Sequence, residues 1–435
     1  MKKLVILVGI FIFSWPLVAF EIFIDRGTDQ VSKIAVVPFG TVAEVNDPSD
    51  VIEFDLERSG LFTALAEENM LSMPQTTDEV NFRDWSILGA KYLIIGSMEE
   101  RSEIEVAVTY HVFDVELQRR LVGGVASGRK DLIRDIAHLI ADQIFEAITN
   151  VKGAFSTKIM YVLVQGRGTE FPTYHLNIAD SDGENIQTIL QSNWPILSPA
   201  WAPDGQSVCY VSFESGRSQV IGHEILTGER EVLAAFEGNN SSPDFSPDGE
   251  QIALTLTRDG NPEVYTMNLA DRTFRRITTH RGIDTEPTWT ADGSSLIFTS
   301  DRSGNPQLYQ VDLKSLSTNR LTFEGTYNAR ARTLPDRKHL LYVHRIRQNY
   351  HIVWASLDES SEPIVLTGSV MDESPSVAPN GSMVMYATKQ GSRGILGIVS
   401  VDGQVELRLP SEEGDVQEPA WSPYLSTTLI KHRKI

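Results

Sequence analysis

Ser198, Ser242, Glu286, Arg330, Ser374 and Glu418 stand at equal steps of 44 residues, and Asp284, Asp372, Glu373 and Asp415 lie close to them in the chain. Side chains placed at one phase of a repeat converge on a common axis. Converging carboxylates can share a proton as an acid–base pair, or they can present charge to another macromolecule. An enzyme of this kind, a hydrolase or a lyase, would pair Glu286 with Asp372 or with Glu418. Other catalytic signatures are missing. There is no G-x-S-x-G elbow. The histidines are scattered without metal-ligand spacing, and His344 and His351 fall on what read as different strands. DSDG at 180–183 lacks the later glutamate of a calcium loop and reads as a hairpin turn. GRG at 166–168 precedes no helix pattern, so it does not cradle phosphate. Cys209, the single cysteine, sits in an apolar strand pattern and reads as a buried small group. No catalytic residue, metal or cofactor is expected. A sugar-binding propeller would line its mouth with aromatics, and the six spaced positions hold none.

The elements that must position these residues repeat with them. An apolar position, an aromatic and a Pro-Asp-Gly turn recur as SPAWAPDG (198–205), SPDFSPDG (242–249) and EPTWTADG (286–293), with worn copies at 330–337, 374–381 and 418–425. Asp-Gly between apolar runs is a strong hairpin signal. Four short strands per 44 residues is the blade of a β-propeller rather than the coil of an open solenoid. KIMYVLV (158–164) has no turn phrase before it, while EPAWSPYL (418–425) has the phrase near the end of the chain. The last strand is therefore expected to complete the first blade and close a six-bladed ring over 158–425. Trp201, Phe245, Trp289 and Trp421 should fill the spaces between blades.

Residues 33–150 read differently. KIAVVPF (33–39) and AKYLIIGSM (90–98) are buried-strand runs, IEVAVTYHVFDV (104–115) alternates, and RRLVGGVAS (119–127) is its candidate pair. Helical spacing marks 48–62 and, most clearly, 130–150. The fold class is thus α+β multidomain: an N-terminal α/β domain, a join at 151–157, and the propeller. FEIFIDRG (20–27) is expected to open its own domain's sheet or, in another state, to stay mobile or add as an edge strand to the sheet of a partner. The basic tail, 426–435, is expected to lie outside the ring, disordered.

The 435-residue chain carries a formal charge of −20. This balance argues against nucleic acid and anionic membrane surfaces. The first nineteen residues, two lysines then an apolar run, read as a secretory signal peptide, with an uncleaved anchor as the alternative. After cleavage no membrane insertion is expected, and the mature protein should be a soluble monomer outside the cytoplasm.

EIFID, IAVVPF, KGAF, FESGRS (213–218), EPTW (286–289), SDRSGNPQLYQVDL (300–313), DESPSVAPNGSMVMYAT (372–388) and EPAWSPYL follow one another in an order that resembles the TolB family of the Tol–Pal system across essentially the whole mature chain. The resemblance implies a periplasmic binding protein that supports outer-membrane integrity and constriction at division. It implies a site for the Pal lipoprotein at the propeller mouth and a site for TolA on the mature N-terminal strand, with access to the one coupled to occupancy of the other. On this chain the TolA epitope falls on Glu21, Ile22, Phe23, Ile24 and Asp25. The Pal contacts fall on Ser242, Thr285 and Glu286, and on Asn239, which stands where many relatives carry His. Together with Ser198, Arg330, Asp372, Glu373, Ser374 and Glu418, these residues are expected to form a largely acidic rim suited to a basic, protruding partner.

Overall fold

The protein is described by a computed structural model over residues 21–24, 31–357, 362–409, 411, 414–426 and 429–435, with residues 21–24 described by their backbone alone. The expected signal peptide and Asp25 lie outside the described residues.

The N-terminal domain contains β2 (Ser32–Val36), α1 (Ser49–Arg58), β3 (Phe62–Ala64), α2 (Phe82–Ile87), β4 (Tyr92–Glu100), β5 (Glu105–Asp114), β6 (Arg119–Arg129) and α3 (Ile133–Thr149), after a short first strand, β1 (Glu21–Ile24). β2 runs parallel to β3 and β4, and β4, β5 and β6 follow as an antiparallel meander. Ile136, Ile140 and Ile144 of α3 recur at four-residue steps, so they share one face. That face is fully buried against Val106, Val108 and Val112 of β5. Short β3 and α2 carry too little periodicity to be legible in the sequence.

Six four-stranded antiparallel sheets form the propeller. Blade 1 takes its innermost strand, Asp415–Trp421, from the end of the chain, paired to Lys158–Gln165. Ring closure is therefore as the repeat implied, and the solenoid alternative falls. The innermost strands of blades 2 to 6 are Ile196–Trp201, Asn240–Phe245, Asp284–Trp289, Asn328–Thr333 and Glu373–Val377. The aromatics before the Pro-Asp-Gly turns join neighbouring blades by hydrogen bonds as well as by area. Trp201 Nε1 donates to the Ala420 carbonyl at 3.1 Å, and Trp289 Nε1 donates to that of Asp244 at 3.1 Å.

Both chain ends differ from expectation. β1 does not open its own domain's sheet. It adds as a fifth, outermost strand to blade 6, antiparallel to Val405–Leu409. The basic tail is ordered at Lys431–Lys434, which pairs with β6 and becomes the edge of the N-terminal sheet. Two features hold it there: Ile430 enters the core of that domain, and the His432 ring stacks on Tyr110, with Nε2 3.0 Å from the phenol oxygen. Gly124 leaves the space, since a Cβ there would sit 2.8 Å from the Tyr110 ring and 2.9 Å from His432. The sequence pattern of the tail is polar and lacks strand alternation, so only the waiting edge of β6 makes it a strand. The join at 151–157 is likewise packed rather than loose. Buried Asp142 on α3 accepts from the Phe155 and Ser156 amides at 2.7 and 3.2 Å.

Candidate functional site: the propeller mouth and the domain junction

Each innermost strand starts at one face of the disc and ends at the other in the turn phrase or its worn copy. The N-terminal domain contacts the turn face, where Asn380 donates to the Lys152 carbonyl at 3.0 Å and Arg58 of α1 donates to Ser181 Oγ at 2.7 Å. The mouth bearing Asn239, Thr285 and Glu373 is on the opposite, open face.

In every innermost strand the ladder slips at the same place. Leu197 pairs with Val211 and Ala200 with Cys209, so Ser198 and Pro199 together face Tyr210 alone. The same bulge recurs at Ser242, Glu286, Arg330, Ser374 and Glu418. All six residues have φ between 48° and 54°, a left-handed backbone that side-chain-bearing residues seldom adopt. Strain of this kind persists only where the surroundings over-determine it. The bulge re-aims one side chain per blade, and all six line a single central cavity of about 40 Å³. The spaced positions read from the sequence do converge.

Their electrostatics are not those of an open acidic rim. Arg330 reaches across the throat. Its Nε lies 2.9 Å from Glu286 Oε1, and its Nη1 lies 3.6 Å from Glu418 Oε1 and donates to Ser374 Oγ. Burial would lower the pKa of Arg330, but Glu418 and Glu286 outweigh it and push it up. Glu286 is further fixed by Thr299 Oγ1 at 3.0 Å. Asp415 pairs with Arg167 at 2.9 Å. Asp372 is wholly buried, accepting from Ser369 Oγ and from Thr388 Oγ1 at 2.6 Å, so it is no rim contact. The acids expected at the mouth are thus largely engaged internally. Glu373 and Asn239 are exposed, and Thr285 and Ser242 are half-buried.

One repeated device escaped the sequence reading. Two residues before the bulge, Asn240, Asp284, Asn328 and Asp372 are all wholly buried. Asn240 accepts from the Phe236 amide at 2.9 Å, Asp284 from Ser300 Oγ at 2.6 Å and Arg302 Nη2 at 2.7 Å, and Asn328 donates to Gln307 Oε1 at 2.9 Å. These side chains stitch the mouth loops to the blade beneath. The signal was an Asn or Asp recurring at the 44-residue step, overshadowed by the more conspicuous bulge positions.

A second cluster lies at the junction of the domains. His138 Nδ1 is 2.6 Å from Asp55 Oδ2, while its Nε2 lies 3.5 Å from Asp180 and 3.7 Å from Asp182 on a propeller turn. Arg134 pairs with Asp182 at 2.5 Å, Lys158 with Asp180 at 2.5 Å and Arg58 with Asp55 at 2.9 Å. Burial alone would lower the pKa of His138, but Asp55 and Asp180 hold its proton and push it up to about 10. Burial alone would raise that of Asp55, yet His138 and Arg58 take it below the usual carboxylate range. The ligand-type atoms of Asp55, His138 and Asp182 lie within 4.8 Å of one another. Each is already matched to a protein charge of opposite sign, so the set works as an ion lattice and not as a vacant metal cage. DSDG is a hairpin turn, as read, and its two aspartates face the N-terminal domain. His344 and His351 turn out to be directly paired across two strands, but each ring is used elsewhere: His344 Nδ1 by Asn328 at 2.6 Å and His351 Nδ1 by the Thr367 carbonyl at 3.0 Å.

These features define the class: a two-domain protein in which a mixed-sheet α/β domain, riveted by buried ions to one face, leaves the opposite mouth of a closed six-bladed propeller open. Models of the TolB amino-terminal domain and of the TolB β-propeller domain match residues 20–121 and 145–425. The Tol-Pal system protein TolB of Pseudomonas aeruginosa is 53% identical over 93% of this chain and 94% of its own, and that of Pseudomonas putida is 52% identical over the same shares. The crystal structure of TolB from Acinetobacter baumannii superposes with a TM-score of 0.86 at 40% identity, covering 93% of this chain and all of that one. The chain belongs to the TolB family. Among the described residues no helix is long and apolar enough to cross a membrane.

Proposed function

We propose that this chain is a periplasmic, non-catalytic binding component of the Tol–Pal system, taking the Pal lipoprotein at the propeller mouth and TolA through the N-terminal segment, residues 21–25. Family membership supports the system. The observation that carries the site is the ring of six strained bulges at the open mouth, which aims one side chain per blade at the axis. A channel enzyme is not favoured. Ligand pockets run from roughly 300 Å³ upward, against about 40 Å³ in this throat. Its two glutamates, moreover, are held by Arg330.

Glu373→Arg reverses an exposed charge at the mouth; Glu373 makes no direct ion pair with Arg330, although its charge adds to the field of Glu418 and Glu286 around that guanidinium. Titration calorimetry with the soluble Pal domain is expected to show binding weakened about tenfold, the order of a 1.4 kcal/mol contact, with an unchanged melting temperature. Undiminished affinity would refute the mouth assignment.

The backbone of β1 is hydrogen-bonded to blade 6. That pairing uses one edge of β1; as the outermost strand it offers its other edge for a partner strand to add to the sheet. Deleting residues 21–25 is expected to abolish TolA binding and to spare Pal binding. A truncated chain that still holds TolA with parental affinity would show that the epitope lies elsewhere.

A further inference from the structure

A second ring of side chains lies one tier beyond the throat. Two residues after each bulge stand Ala200, Asp244, Thr288, Arg332, Ser376 and Ala420, again at 44-residue steps. All six line one cavity of about 290 Å³ at the turn face of the disc, walled by Trp201, Phe245 and Trp289 and rimmed by prolines of the turns, among them Pro203, Pro247 and Pro379. None of its lining residues comes from the N-terminal domain, so that domain does not plug this funnel. Three of the four polar members hold blades together. Asp244 Oδ2 accepts from Thr288 Oγ1 at 3.0 Å and from the Trp289 amide at 3.1 Å, and Ser376 Oγ accepts from the Trp421 amide at 2.8 Å. Arg332 has no such duty. Its one hydrogen bond among the described residues runs from Nη1 to the carbonyl of its own neighbour Ala331, at 2.9 Å. No carboxylate oxygen of a described residue lies within 4.0 Å of its guanidinium. The throat glutamates above it are taken by Arg330.

A guanidinium carries five donors in a planar fork that matches a carboxylate. Small-molecule sites combine apolar and aromatic walls with a few convergent polar groups, in cavities from roughly 300 Å³ upward. The funnel reaches that size and has that make-up, whereas the throat has neither. Ala200 stands three blades from Arg332, directly across the ring, and its small side chain leaves the space in front of the guanidinium open. We propose that the turn-face funnel binds a small organic carboxylate, with its charge on Arg332 and its apolar remainder against the tryptophan walls. One guanidinium with an acid two blades away suits a single carboxylate better than a chain of phosphates. Asp244 is the only acid in this ring, and its bonded oxygen is turned to blade 4. The site is on the opposite face from the mouth and does not depend on what docks there.

The test titrates the mature chain with phenylacetate, with its neutral isostere phenylacetamide and with phenethylamine, read by tryptophan emission and by calorimetry. Phenylacetate is expected to bind with a Kd of about 1 mM or below, at least tenfold more tightly than either of the others. Arg332→Gln is expected to bind phenylacetate at least tenfold more weakly and to lose the preference over the amide, while Arg332→Lys keeps part of it. Ala200→Met leaves the guanidinium in place but fills the ring opposite it, and is expected to weaken binding as well. No saturable response to phenylacetate, equal binding of the acid and the amide, tighter binding of phenethylamine, or parental affinity in Arg332→Gln each overturns the proposal. Should Arg332→Gln melt below the parent, the acid–amide comparison on the parent chain and the Ala200→Met titration decide it: a preference that Ala200→Met leaves intact places the carboxylate outside the funnel and overturns the site.

Discussion

His138→Ala is expected to destabilise the folded chain by about 3 kcal/mol, because removing one member of a buried ion pair leaves its partners charged and desolvated. His138 is 1% exposed and stands between Asp55 of its own domain and Asp180 and Asp182 of the propeller. Its loss strands carboxylates on both sides of the junction. The effect carries a pH signature. The folded-state pKa, about 10, lies above the unfolded value near 6.5. The stabilisation is therefore fully present below about pH 6.5 and is lost as pH rises through 10. Urea unfolding of parent and variant at pH 6 and again above pH 10 reads this directly. The gap between them is expected to narrow at the higher pH; a gap of equal size at both would mean that the imidazolium charge is not what binds the domains.

Trp421→Ala should remove about 3–5 kcal/mol, the usual range for emptying a buried tryptophan site. Trp421 is at the seam of the ring. Its side chain is buried with Ala154 of the join and Ile159 of blade 1, its Nε1 donates to Thr157 Oγ1 at 2.8 Å, and its amide donates to Ser376 Oγ of blade 6 at 2.8 Å. Loss of the indole strips the closing strand of its packing at the seam and of the Thr157 bond, leaving its ladder and its weaker polar contacts to hold it. An opened seam would expose two sheet edges. The expected result is a lowered denaturation midpoint, together with faster proteolysis between blades 6 and 1 than within blades 3 and 4. Uniform cleavage across the ring would show that closure does not depend on this residue.

Much of the fold was legible because local chemistry and global shape agree. The Pro-Asp-Gly turns state where chain reversals fall, and a 44-residue repeat with a misplaced last strand leaves closure as the way to satisfy the edges. The α3 stripe was readable for the same reason. At the site, the six phase-matched positions were readable as a ring, since an even repeat must place equivalent residues equivalently.

Charge was where reading along the chain fell short. Counting Glu286, Glu418, Asp284 and Asp372 as an acidic rim ignored Arg330, Arg302, Ser369 and Thr388, which come from other blades or from other strands and loops nearby and neutralise or bury them. The junction lattice was invisible for a related reason: Asp55, His138 and Asp180 are far apart in sequence and share no motif.

By itself, then, the sequence determined the repeat, its count, its closure and the phase at which side chains meet the axis, because each follows from short-range turn chemistry and periodic burial. Only the tertiary structure decided which of those side chains remain free, where the two terminal strands go, and how the domains are joined. β1 and the Lys431–Lys434 strand each complete a sheet belonging to the other domain. An edge strand takes its conformation from the hydrogen-bonding row it meets rather than from its own residues, and that row exists only once the rest of the chain has folded.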